Sequence, residues 1–335
     1  MNKREIVKNV IAHKESSELP FCIHFALDAK EKYYAMLFED YVDDKLKKEY
    51  DEGRLSLDET IRIGIGNYVI AQDCPWWSWY DVPSSYSGFD APDVLPKTIG
   101  YGSYNGYVEH LKYLKETTGC YIMVNIYGSH FEKAYFARGI ENFLADMAGE
   151  PDFAKRLLDT IIRKNMVMLE NIVNIPEIDG ILLGSDWGSQ NSLLMSPSSW
   201  RELIAPGEKL EYDLIHSTGK DVWVHSCGNV EQIMGDLIEL GVDVLNPLQP
   251  ECMDIKSIKS NYGNKLTFWG GISTQQTLPY GKADDVRNEI LTVTDFMKES
   301  GGYILAPSQE IQSDVPYENL RMMIDTARDL SFLKQ

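Results

Sequence analysis

The chain changes texture near residue 179. From there on, short apolar runs alternate with amphipathic stretches. DGILLG (179–184), DVWVHS (221–226), DVLN (243–246), LTFWG (266–270) and YILA (303–306) are predicted strands. Between and after them, apolar residues recur at three- and four-residue spacing, which predicts helices over 206–218, 229–240, 254–260, 283–299 and 317–331. In 229–240 the apolar stripe is Val230, Ile233, Met234, Leu237 and Ile238, with Asn229 placed to cap the start and Gly241 to end it. Strict alternation of strand and helix implies parallel strands joined by crossover helices.

The first half is less regular. PFCIHF (20–25) and YIMVNI (121–126) read as strands, a further strand is expected within 60–70, and helices are expected near 105–118, 139–148 and 151–174. The total of about eight strands suits a closed (β/α)8 TIM barrel, an α/β fold. The expectation is one domain over residues 1–335, with N-terminal additions and a long loop at 73–105 that is rich in Pro, Ser, Gly and aromatics.

Composition narrows the function classes. The 335 residues carry a formal charge of -19, which opposes binding to nucleic acid or an anionic membrane surface. Five widely spaced cysteines do not look like a disulfide framework, and the polar start MNKREIVKNVIAHKE does not read as a signal peptide. No apolar run approaches the ~20 residues of a membrane span. A cytoplasmic protein is expected. No dinucleotide fingerprint, P-loop or nucleophile elbow is present.

In a barrel, chemistry gathers where strands end. His225 and Cys227 end one predicted strand and can point the same way. Imidazole and thiolate suit zinc, although such a pair also occurs as a buried thiol beside a hydrogen-bonded histidine. Asp186 follows strand 179–184 and is a candidate proton acceptor or orienting group; its plainer role is to cap the next turn. Gln190 on the rim and Gln249 at a later strand end are candidate substrate contacts, and Gln249 could equally hold its own turn. His24, near the end of the first strand, is a candidate catalytic imidazole, with His130 a weaker one. Trp76, Trp77, Trp79 and Tyr80 could cover an aromatic surface, or simply pack their loop.

The run HSCGNVEQIMGDLIELGVDVLNPLQPECMDIKSIKSNYGNKLTFWGGISTQQTLPYGKADDVRNEI, followed by GGYILAPSQEIQSDVPYENLRMMIDTAR, resembles the uroporphyrinogen decarboxylase superfamily. The likeness covers roughly residues 115–335 and includes GSDWGSQNSLLMSPSSWRELIAP. It is nearest to the corrinoid-dependent branch, which holds coenzyme M methyltransferases and O-demethylase-type methyltransferases. The resemblance implies a (β/α)8 barrel. It also implies zinc on an H-x-C pair, matched by His225 and Cys227, with a second cysteine near the last strand.

That third position falls in Ala306–Glu310, where there is no cysteine and Gln309 stands instead. Glu310 is the expected third ligand, with Gln309, Cys252 or Glu251 as alternatives. The superfamily's decarboxylases hold their polycarboxylate substrate with arginines after the first strand, and residues 20–41 contain none. The resemblance therefore implies methyl transfer between a small-molecule donor or acceptor and cobalamin carried on a separate corrinoid protein; a homodimer is compatible with it. A metal-free lyase and a small-molecule binding protein without turnover are the alternatives.

Overall fold

A computed structural model describes residues 1–14, 16, 18–74, 104–126 and 128–332. Trp76, Trp77, Trp79 and Tyr80 lie outside the described residues. The described chain is α/β. Its seven strands are β1 (Val69–Asp73), β2 (Tyr121–Ile126), β3 (Gly180–Gly184), β4 (Asp221–His225), β5 (Val244–Leu248), β6 (Thr267–Ile272) and β7 (Tyr303–Pro307). They pair in chain order from β1 to β7. The β2–β3, β3–β4 and β6–β7 pairs are parallel, with Leu183 opposite Val224 and Gly184 opposite His225 in the second of these. Parallel neighbours need crossovers. Helices supply them at Tyr104–Thr118, Pro151–Ile172, Ala205–Ser217, Met234–Leu240, Ile255–Tyr262 and Ala283–Met297. β3, β5, β6 and β7 are buried along their whole length, as strands covered on both faces must be.

Two expectations from the first half of the sequence are corrected. Residues 57–64 are helical and the strand starts only at Val69. The helix is set by a capping box: Ser56 accepts the Glu59 N–H, and the Glu59 carboxylate accepts the Ser56 N–H. Residues 20–25 form no regular strand, so there are seven strands among the described residues where about eight were expected. Phe21 and Phe25 make isolated parallel bridges to Leu305 and Ile311. On the other side of the segment, the Asn67 side chain accepts the Ile23 N–H at 3.0 Å and donates to the Ile23 carbonyl at 2.9 Å. A side-chain amide thus stands where a neighbouring strand's backbone would pair, which satisfies both buried groups without a ladder.

The chain forms two compact units, each assembled from separate stretches. One comprises Met1–Ile70, Glu116–Tyr121 and Asn246–Gln335; the other comprises Ala71–Lys115 and Ile122–Leu245. The first has a core of Phe268, Ile290, Met297, Leu320 and Ile324. The second is built on Ile161, Leu169, Trp187, Trp200 and Trp223, with the Trp187 and Trp200 rings edge-to-face at 5.3 Å. Gly241 ends the helix Met234–Leu240 in the left-handed conformation, as expected. Asn229 accepts the Glu231 N–H and starts the 3-10 turn that leads into that helix. Among the described residues, no helix is long and apolar enough to cross a membrane.

Candidate metal centre

The second unit brings three donors together just beyond β3 and β4. Their positions follow from how the two strand-end loops are tied. Ser185 donates its N–H to the His225 carbonyl at 2.8 Å, and Asn229 donates to the Ser189 carbonyl at 2.8 Å. Between these bonds, Trp187 donates to the Ser226 hydroxyl at 3.0 Å. The loops approach so closely that a Cβ on Gly188 would come within 2.5 Å of the Cys227 carbonyl oxygen. Gly228 has φ +82, and a Cβ there would meet the backbone of Gly188 and Ser189 at 2.5 Å. Only glycine meets both requirements at position 228.

Within this frame the Asp186 carboxylate accepts the Cys227 N–H at 3.0 Å and lies 3.6 Å from His225 Nε2. Cys227 Sγ lies 3.4 Å from the same nitrogen. The donor atoms of Asp186, His225 and Cys227 all fall within 4.8 Å of one another. The Asp186 side chain is 42% exposed and that of His225 11%, so the group has a dry side and an open side. A tetrahedral zinc with bonds of ~2.0–2.3 Å places its ligands ~3.3–3.8 Å apart, and the two distances to Nε2 lie in that range. One imidazole, one thiol and one carboxylate are all ordinary zinc donors.

Glu132 stands beside this group. It caps the helix His130–Arg138 together with Ser129, and the N–H groups of Gly128, Ser129 and Asp186 point at its carboxyl. Burial, reinforced by the Asp186 charge, pushes it up to about 8. A second gathering in the same unit, His130, Glu208 and Glu211, is fully buried. Sequence reasoning singled out only His130 among these. The missed signal lies in Ala205–Ser217, where Glu208 and Glu211 occupy the apolar face between Ile204 and Ile215. Carboxylates on that face are rarely buried unless something compensates them.

The other expected residues have the following surroundings. Gln190 is exposed, in the turn spanned by the Gly188–Leu193 bridge. Gln249 is buried and holds its own turn: its carbonyl accepts from Cys252 and Met253, and its side-chain oxygen accepts the Cys252 thiol at 3.8 Å. His24 sits 3.1 Å from Cys22 Sγ and edge-on to Trp269. Burial, with Arg62 adding to it, pushes its imidazole down to about 3, so it is neutral at physiological pH. Gln309 accepts the N–H of the exposed Glu310 at 3.2 Å. Gln249, Cys252, His24, Gln309 and Glu310 belong to the first unit; within the second unit, Asp186 is the donor gathered with His225 and Cys227.

A solved structure of a methyltransferase from Methanosarcina mazei matches 98% of this chain and 99% of its own, at 16% identity and a TM-score of 0.70, which shows a shared fold. A rutinosidase from Aspergillus niger matches more distantly, covering 92% of this chain and 97% of its own at 12% identity and a TM-score of 0.44. A sequence search among curated proteins finds no match. The family model described as Uroporphyrinogen decarboxylase (URO-D) matches residues 101–330, a span that includes both strand-end loops and all three donors. The chain belongs to the uroporphyrinogen decarboxylase family.

Proposed function

We propose that this protein is a methyltransferase that moves a methyl group between a small molecule and cobalamin on a separate corrinoid protein, with zinc held by Asp186, His225 and Cys227. The small molecule is a methoxylated compound or a thiol. The observation that supports this reading is the donor spacing: 3.4 and 3.6 Å from His225 Nε2 to the thiol and the carboxylate, on a group with one open side. When bound, zinc would act as a Lewis acid that acidifies a thiol acceptor or polarises the oxygen of a methoxylated donor.

The chain's own residues set up that chemistry. The Cys227 N–H bond to Asp186 fixes the thiol-bearing loop against the carboxylate-bearing one. His225 presents Nε2 from the last position of β4, so the imidazole is carried by the sheet rather than by a mobile loop. Glu132 stands beside Asp186 with its carboxyl held by the Gly128, Ser129 and Asp186 N–H groups, and burial raises its pKa above the ordinary carboxylate value.

The test is methyl transfer with free cobalamins: methylcobalamin against a panel of small thiols, and cob(I)alamin against methoxylated arenes. Turnover by the zinc-loaded chain is expected, with a loss of ~100-fold or more in Cys227→Ala. An equal rate in the folded variant would remove zinc at this site from the reaction.

A further inference from the structure

The buried group His130, Glu208 and Glu211 poses an electrostatic problem of its own. His130 is the first residue of its helix, while the two glutamates lie three apart on one face of Ala205–Ser217. His130 Nε2 lies 3.2 Å from the Ile204 carbonyl oxygen. A carbonyl can only accept, so Nε2 carries the proton and Nδ1 is left with its lone pair. That nitrogen makes no hydrogen bond and faces Glu208 Oε1 at 3.5 Å. Glu211 Oε2 is also buried without a hydrogen bond. The carboxylates are also held from outside: Tyr212 donates to Glu208 Oε2 at 2.7 Å, Ser185 donates to Glu208 Oε1 at 3.3 Å, and Asn165 donates to Glu211 Oε1 at 3.0 Å. Lys133 in turn donates to Asn165 at 3.4 Å. Gly207 leaves the space for the ring, since a Cβ there would meet His130 Nε2 at 2.7 Å.

Acceptors from three side chains therefore converge on one small, dry space, and their ligand atoms lie within 4.8 Å of one another. We propose that this space is a second metal site, in which His130 Nδ1, Glu208 and Glu211 bind a divalent cation of the zinc, manganese or iron(II) class. The donor set of one imidazole and two carboxylates fits those ions. The surroundings have the form of a metal site's outer shell, with the histidine's other nitrogen fixed by a backbone carbonyl and each carboxylate fixed by a neighbour. The site is closed, so the ion enters as the chain folds and joins the helix His130–Arg138 to Ala205–Ser217. Ser185 donates to Glu208 at 3.3 Å and directly precedes Asp186, so this ion would brace the loop that carries the strand-end donor.

The test separates the two sites by variant. Cys227→Ala, unfolded with chelator and refolded with Zn²⁺ or Co²⁺, is expected to retain about one metal per chain by elemental mass spectrometry. The double variant Cys227→Ala/Glu211→Gln is expected to retain none and to melt lower than Cys227→Ala. If the double variant does not fold, the melting temperature of Cys227→Ala refolded with and without metal decides, and a rise with metal is expected. Folded Cys227→Ala that holds no metal, or whose melting temperature ignores it, would overturn the proposal. So would metal retained in full by the folded double variant. These outcomes concern the buried donors alone, so they are read separately from loss of methyl transfer.

Discussion

One compact unit holds two donor clusters that differ in what carries them. Asp186, His225 and Cys227 come from the end of β4 and the loops just past β3 and β4, include a thiol, and have an open side. His130, Glu208 and Glu211 come from helix faces, have only nitrogen and oxygen donors, and are closed off from solvent. A strand end in a parallel α/β fold leaves its last residues facing outward, where they can meet a substrate. A helix face turned into the core gives its donors no such access, so an ion there braces structure. Ser185 touches both environments, with its N–H on the His225 carbonyl and its hydroxyl on Glu208.

The largest effect is expected where the strand-end loops cross. Gly228→Ala forces a side chain into φ +82 and against the Gly188 backbone at 2.5 Å. It should lower stability by about 2–4 kcal/mol and disorder the donors it adjoins. Gly235→Ala is the matched control: it lies in the helix Met234–Leu240, and a Cβ there meets nothing within 4 Å. That change should be neutral or stabilise by up to about 1 kcal/mol. Chemical denaturation of both variants checks the pair, and equal losses would mean that the glycine crossing holds nothing in place.

A smaller effect is expected from Ser185→Ala. Its side chain bonds Glu208, so it should weaken metal at the buried cluster by ~10-fold while its backbone bond to His225 persists. Chelator competition on Cys227→Ala and Glu211→Gln backgrounds separates the two sites; an equal fall at both would show that the clusters act as one.

The smallest effect is expected at a histidine outside both clusters. His216 bonds Asp243 at 2.8 Å, and that bond raises its pKa above the ordinary value of 6.5. The protonated form is the one favoured on folding, so the contribution is fully present below pH 6.5 and is lost as pH rises through the folded pKa. The pair is partly exposed, which holds the contribution below about 1 kcal/mol. The stability gap between wild type and His216→Asn should therefore be small at pH 6 and vanish by about pH 9.

The same contrast explains what the sequence made legible. Strands β2 to β7 stand within a few residues of the apolar runs that announced them, because buried parallel strands are nearly continuous apolar blocks. His225, Cys227 and Asp186 were visible because each lies at or just past the end of such a block. Their mutual contact was not, since it depends on the register that sets Gly184 opposite His225 and on the close passage of Gly188 and Gly228. The buried glutamates were hidden by their own helix, whose polar residues are ordinarily read as its solvent face. Residues 20–25 have a strand's composition, but their partner at Ile23 is the Asn67 amide, which no periodicity announces. The helix at 57–64 did carry a signal, the Ser56–Glu59 capping box, in a stretch where a strand was expected nearby.

Zinc on Asp186, His225 and Cys227 is what separates the proposed reaction from metal-free chemistry. The most direct measurement is zinc content per chain in a Glu211→Gln background, which takes the buried cluster out of the count. About one zinc per chain is expected there, falling to near none when Cys227→Ala or Asp186→Ala is added. A folded parent that takes up no zinc when supplied with it, or a Cys227→Ala chain that keeps its zinc in full, would contradict the claim.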